Sequence, residues 1–292
     1  MLFPGFEQKR VAGQGAEINL RIGGRGPALL LLHGYPQTHV MWHKIAPRLA
    51  EDFTVICPDL RGYGDSSKPD SDPAHLTYSK RATAADMVAV MQTLGFPKFR
   101  LAGHDRGGRV AHRLALDFPD AVEKLAVLDI VPTLTVFETV NQLVATSYYH
   151  WFFLIQPAPH PERMIGADPE YYLNSKLRSW SAGRDFYPPE VMAEYLRCFR
   201  DPACIHATCE DYRAGASIDL EHDRADRDKR IAAPLLVLWG EKGLVNRAYS
   251  VMDIWRGKAA GTVEGHPVPS GHFLPEEAPE ETYRALHGFF LN

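Results

Sequence analysis

Cysteine is scarce in this chain of 292 residues: Cys57, Cys198, Cys204 and Cys209 are too few and too irregular for a disulfide framework. The three close ones lack the paired spacing of a zinc site, so they are expected as structural thiols, and no metal or other cofactor is expected. Long apolar runs are missing too. None approaches the roughly 18 residues needed to cross a bilayer. A basic excess is also absent: 32 Lys and Arg against 36 Asp and Glu leave a net charge of −4, which speaks against a nucleic-acid surface. There is no internal repeat and no low-complexity tract. Met1-Leu2-Phe3-Pro4-Gly5 has no basic stretch leading into an apolar core, so no signal peptide and a cytoplasmic location are expected.

What is present is the balance of a globular chain. With 45% hydrophobic and 23% charged residues, it suits one large α/β domain or two ordinary ones. Ala28–Leu32, Phe53–Cys57, Phe99–Ala102, Lys124–Leu128 and Leu235–Trp239 are nearly continuous apolar runs, as strands buried on both faces are. Ile18–Ile22 alternates and suits an antiparallel edge strand. Met41–Leu49, Tyr78–Leu94, Arg109–Phe118 and Glu277–Phe290 carry apolar residues at helical spacing. Strand–helix alternation of this kind predicts an α/β fold with a mostly parallel sheet flanked by helices. Between about Thr133 and Lys229 the rhythm breaks into an aromatic- and proline-rich stretch with helical pieces such as Val136–Tyr149 and Glu190–Phe199. It reads as a helical cap (133–229) inserted into a core of residues 1–132 and 230–292, above the carboxyl ends of the strands where open α/β sheets bind ligands.

Gly103-His104-Asp105-Arg106-Gly107 directly follows one of the apolar runs and has the form of a nucleophile elbow, with aspartate where serine is usual. A carboxylate nucleophile attacks a carbon bearing a leaving group and forms an alkyl ester on the enzyme. Arg106 and Arg109 follow at once, three positions apart on one helical turn. Two guanidinium groups beside such a nucleophile point to a small anionic substrate.

The elbow needs a base and an orienting acid, in the chain order nucleophile, acid, histidine. Among 13 histidines, His272 stands in Ser270-Gly271-His272-Phe273, a loop ahead of the last helix. The acid is open between Asp129 and Glu241. Asp129 closes an apolar strand and is preferred, since a carboxylate there is costly to bury without a partner. Glu241 follows the penultimate strand, near Gly243, where an aspartate often stands. Ester hydrolysis also needs backbone donors for the oxyanion. These are expected from the N–H of Arg106 and of Tyr35, in the turn His33-Gly34-Tyr35-Pro36. Simpler roles compete: Tyr149-His150-Trp151-Phe152-Phe153 is also the kind of aromatic cluster that packs one layer on another.

These stretches, with Asp59-Leu60-Arg61-Gly62-Tyr63-Gly64, Arg106-Gly107-Gly108-Arg109 and Asp211-Tyr212-Arg213-Ala214-Gly215, resemble the haloacetate (fluoroacetate) dehalogenases of the α/β-hydrolase superfamily over essentially the whole chain. The resemblance implies Asp105 as nucleophile, His272 as base and Asp129 as its partner. It implies Arg106 and Arg109 on the substrate carboxylate, His150, Trp151 and Tyr212 as donors to the departing halide, and a homodimer. The expected activity is hydrolysis of a short 2-haloacid to glycolate and halide. An epoxide hydrolase is the alternative, with Tyr212 and Tyr148 or Tyr149 protonating the epoxide oxygen, although a neutral epoxide has no use for two buried cations. A non-catalytic binding protein on the same scaffold is the third reading, and it has no need of a complete Asp105, Asp129 and His272 set.

Overall fold

The computed structural model describes residues 2–183 and 186–292. Strands β1 (Glu7–Ala12), β2 (Glu17–Gly23), β3 (Ala28–Leu32), β4 (Thr54–Pro58), β5 (Phe99–His104), β6 (Val122–Leu128), β7 (Leu235–Gly240) and β8 (Val263–Val268) form one sheet in the order β1-β2-β4-β3-β5-β6-β7-β8. From β4 to β8 all pairs are parallel; β1 and β2 join antiparallel. The apolar runs of β3 and β7 are buried at every position, as strands covered on both faces must be. Helices Lys80–Thr93, Arg106–Asp117 and Pro279–Leu291 are among those that flank the sheet. Between β6 and β7, eight helices and no strand occur among the described residues.

Three local expectations are corrected. The 18–22 segment is not an edge, because β1 pairs along its outer side. β1 is exposed at five of its six positions, and β8 is the opposite edge with a proline in it, so neither carries the apolar signal of a buried strand. The 41–49 segment is a short 3-10 turn, His39–Trp42, followed by a separate helix, Ala46–Leu49, with proline in its first turn. Proline fits that position, where its missing N–H would have no acceptor, and not a helix interior. The 136–149 pattern is divided among Thr133–Glu138, Gln142–Ser147 and Tyr149–Leu154. The Asn141 side chain accepts from the Val144 N–H at 3.1 Å and starts the second of these.

Chain order fixes where a ligand can sit. From β3 the chain goes to β4 on one side and then to β5 on the other, so the loops after β3 and β5 diverge and leave a crevice. The parallel register ends level across the sheet: Leu32 faces Gly103, His104 faces Leu128, and Leu128 faces Leu238. Asp105 and Asp129 are therefore each the first residue beyond the end of neighbouring strands.

The helix Arg106–Asp117 lies so close to β3 that a Cβ on Gly107 would collide with the backbone of Leu32 and His33. Gly107→Ala should destabilise the protein by about 1–3 kcal/mol, the usual range for overpacking. Gly288 lies in the last helix with open space around it. Gly288→Ala should instead add about 0.5–1 kcal/mol. Urea unfolding of the two variants checks this: a fall for one and no fall for the other.

Candidate active site

Asp105 caps the N-terminus of the helix Arg106–Asp117 with φ 47° and ψ −115°, a left-handed conformation uncommon for a residue with a side chain. The turn is sharp enough that a Cβ on Gly34 would lie 2.5 Å from the Asp105 Cβ. Its carboxylate is consequently presented at the helix start, where the first N–H groups have no intrahelical acceptor. The Tyr35 N–H donates to Asp105 Oδ1 at 3.0 Å. Oδ2 faces His272 Nε2 at 3.8 Å, too far for a hydrogen bond. Burial opposes ionisation of Asp105, but the charges of His272, Arg109 and Arg106 outweigh it and hold the carboxyl at about 2.

His272 Nδ1 donates to Asp129 Oδ2 at 2.6 Å, which leaves Nε2 as the unprotonated nitrogen facing Asp105. Asp129 itself has φ 50°, and its Oδ1 accepts the Gly240 N–H at 2.9 Å. Burial would lower the His272 pKa, but the bond to Asp129 and the negative charges of Asp129 and Asp105 raise it above the ordinary value. Glu241 is exposed on the far side of Gly240. A Cβ on Gly243 would lie 3.4 Å from Asp129 Oδ1. Aspartate at 243 and aspartate at 129 would thus be two ways of delivering a carboxylate to one point. His104, beside the nucleophile, is held neutral by burial with its pKa near 3, and its Nε2 donates to the His272 carbonyl at 2.7 Å.

The two arginines are both buried, and their partners differ. Arg106 donates through Nε and Nη2 to Asp211 Oδ2 and the Asp211 carbonyl, both at 2.7 Å, and its guanidinium lies 4.1 Å from the Tyr212 ring centre. Burial alone would lower its pKa; Asp211 raises it instead. Arg109 reaches no carboxylate among the described residues. Its Nη1 donates to the Val131 carbonyl at 2.8 Å and to Thr133 Oγ1 at 3.2 Å, while Nε and Nη2 are buried with no protein partner among the described residues. Burial lowers its pKa, against the pull of Asp105. The guanidinium sits 4.5 Å from the Trp151 ring centre.

Around these cations the helix Tyr149–Leu154 and the helix Pro202–Gly215 bring His150, Trp151 and Tyr212 together. The Tyr212 ring centre lies 5.6 Å from that of His150 and 6.0 Å from that of Trp151. Buried His150 Nδ1 and Tyr212 Oη have no protein partner either. Burial keeps His150 neutral, its pKa well below the ordinary value, and drives the Tyr212 hydroxyl well above its own.

A cavity of about 250 Å³ opens onto Asp105, Asp129 and His272 and is walled by Tyr148, His150 and Trp180. Arg106, Arg109, Trp151 and Tyr212 are not among the residues that line it. Trp180 is a site residue without a sequence signal. Its ring centre is 4.5 Å from that of His150, and its carbonyl accepts the His272 N–H at 2.9 Å. Among the described residues no cluster of His, Cys, Asp or Glu could hold a metal, and no helix is long and apolar enough to cross a membrane.

Comparison with known proteins bears on the fold and the family. The α/β hydrolase fold model matches residues 27–279. A fluoroacetate dehalogenase from Burkholderia sp is 49% identical over 289 residues, 99% of this chain and 95% of that one. A soluble epoxide hydrolase from Corynebacterium sp. (strain C12) is 35% identical over 271 residues, 91% of each chain. A crystal structure from Nostoc sp PCC 7120 assigned to the α/β hydrolases superposes with a TM-score of 0.97 at 59% identity, over 99% of both chains. The resemblance read from the motifs thus holds over nearly the full length, and the chain belongs to the α/β-hydrolase fold family.

Proposed function

We propose that this protein is a hydrolase that cleaves the carbon–halogen bond of short 2-haloacids such as fluoroacetate or chloroacetate, through an ester on Asp105. The observation that carries the reading is Arg109: a buried guanidinium with two unpartnered N–H edges, one turn from an ionised aspartate, suits the paired oxygens of a carboxylate. In this reading residues 133–229 are a cap on a core of 1–132 and 230–292, and the cap supplies the leaving-group donors.

Asp105 Oδ2 attacks the halogen-bearing carbon while the C–X electron pair leaves with the halide. His150, Trp151 and Tyr212 donate to that developing anion, which stabilises the transition state more than the neutral C–X bond. Neutral His150 and an un-ionised Tyr212 keep the donors this requires. His272 Nε2 then takes a proton from water as the oxygen adds to the ester carbon. The Oδ1 that already accepts the Tyr35 N–H becomes the oxyanion, with the Arg106 N–H as second donor. Collapse expels the glycolate oxygen, which takes the proton back from His272, and the Asp105 carboxyl so formed loses its own proton to solvent, restoring the carboxylate.

The 35% identical epoxide hydrolase shares enough of the chain to be the competing reading. Tyr212 Oη, buried without a partner, would serve it as a proton donor. An epoxide gives Arg109 nothing to bind, which is why the haloacid is favoured. Halide and glycolate release from chloroacetate and fluoroacetate, measured beside diol formation from styrene oxide, tests the choice.

Arg109→Leu removes a charge-assisted contact worth about 1.5–3 kcal/mol. That is about one to two powers of ten in kcat/KM. The loss is expected for haloacetate and not for haloacetamide. Arg106 spends Nε and Nη2 on Asp211, so Arg106→Leu should cost haloacetate less than Arg109→Leu. Equal losses on charged and neutral substrates would remove the carboxylate role.

The two steps should separate with pH and by mutation. His272 must be neutral to act as base, and its pKa is raised, so turnover should fall on the acid side with a midpoint above the ordinary 6.5. Asp105 stays ionised down to about 2, so alkylation by chloroacetate should persist where turnover has stopped. His272→Asn should show the same behaviour at neutral pH, with an adduct on the Asp105 peptide by mass spectrometry. Normal turnover by that variant would return the search to the other histidines.

A further inference from the structure

Two guanidinium groups stand within one turn of Asp105, yet neither forms an ion pair with it. Among the described residues, the one basic side-chain nitrogen within 4 Å of its carboxylate is His272 Nε2. This matters because a guanidinium fork occupies the lone pairs of a carboxylate, and those lone pairs are what attacks carbon. Arg109 exerts the larger charge effect on the Asp105 carboxyl and is tied by Nη1 to Val131 and Thr133; Arg106 follows Asp105 directly in the chain.

The structure shows what holds it elsewhere. Asp211 takes Nε and Nη2, the Tyr212 ring covers one face of the guanidinium, and Gly215 leaves room for its edge: a Cβ there would stand 3.1 Å from Nη2. Asp211 is itself fixed from two further elements. Tyr63 Oη donates to Oδ2 at 2.8 Å, and Lys80 Nζ pairs with Oδ1 while also lying 3.6 Å from Asp219. The cluster therefore sets two cations against two anions, all buried. Opposite charges outweigh burial and keep the Asp211 carboxyl well below the usual range, so it remains a charged partner. Arg109 is left as the uncompensated cation for the substrate, and Nη1 is the one Arg106 guanidinium nitrogen not bound to Asp211.

We propose that Asp211 is a positioning residue that holds the Arg106 guanidinium off the nucleophile, so that Asp105 Oδ2 stays free to attack carbon. This rests on the reading of Asp105 as an alkylated nucleophile. It sets Asp211 apart from the triad and from the halide donors, because it touches neither substrate nor leaving group.

The test is a double-mutant cycle on the alkylation step, read as single-turnover halide release from chloroacetate. Asp211→Asn should slow alkylation at least tenfold, because Arg106 is released to pair with Asp105. The same substitution placed on Arg106→Leu should change the rate less than twofold, since the intruding cation is gone. Haloacetamide should show the same pattern, because the nucleophile is affected and not carboxylate binding. Asp211→Glu, which keeps the charge, should recover most of the rate. Should Asp211→Asn fail to fold, Tyr63→Phe loosens the same carboxylate more gently. Its two- to threefold loss should likewise vanish on Arg106→Leu. Equal losses in both backgrounds would mean that Asp211 acts through the fold alone, and the proposal falls. Absence of wild-type alkylation by both chloroacetate and styrene oxide would instead bring down the reading of Asp105, and this proposal with it.

Discussion

Asp105 occupies a backbone region that costs a residue with a side chain about 1–3 kcal/mol. The surroundings are built to hold it there. Glycines at 34, 103 and 107 let the turn after β3, the end of β5 and the following helix approach more closely than any side chain would allow. β6 then delivers Asp129 level with Asp105, also at positive φ, and the loop after β8 brings His272 between the two carboxylates. On extended backbone the side chain would instead stand on one face of the sheet.

Burial makes the charges of this site decisive. In low dielectric each uncompensated charge is costly, and several are answered by an opposite charge or a hydrogen-bond donor: Asp211 by Arg106 and Lys80, Asp86 by Arg61, and Asp129 by the His272 Nδ1–H and the Gly240 N–H. Two buried cations have no carboxylate partner among the described residues: Lys176, which meets the Tyr149 hydroxyl, and Arg109, with backbone and hydroxyl acceptors on one nitrogen and no protein partner on the others. In the proposed reading, the cation beside Asp105 is the one that receives the substrate anion. The helices between β6 and β7 complete the site, since His150, Trp151, Asp211 and Tyr212 all come from them.

Much of this was legible in the order of residues alone. Continuous apolar runs marked the central strands because both their faces are covered. The Gly-x-Asp-x-Gly elbow, the two arginines behind it and the histidine before the last helix are local patterns whose spacing carries the chemistry. Family membership followed from the same motifs and is borne out by the comparisons. The edge strands β1 and β8 were not legible, because an exposed edge need not be apolar. Nor was the break of the 41–49 helix at Pro47, which depends on where the first turn begins.

What only the tertiary structure decided is which distant groups meet. The sequence by itself determined that an aspartate elbow, a histidine before the last helix and two arginines exist, since those are properties of residue type and short spacing. It left two carboxylates competing for His272. The fold places Asp129 at 2.6 Å and Glu241 in solvent, through the level register of β6 and β7. It likewise left Arg106 and Arg109 equivalent. They differ because a carboxylate 105 residues away in the chain reaches one and not the other, and such a pairing is set by packing across elements, which no local pattern encodes.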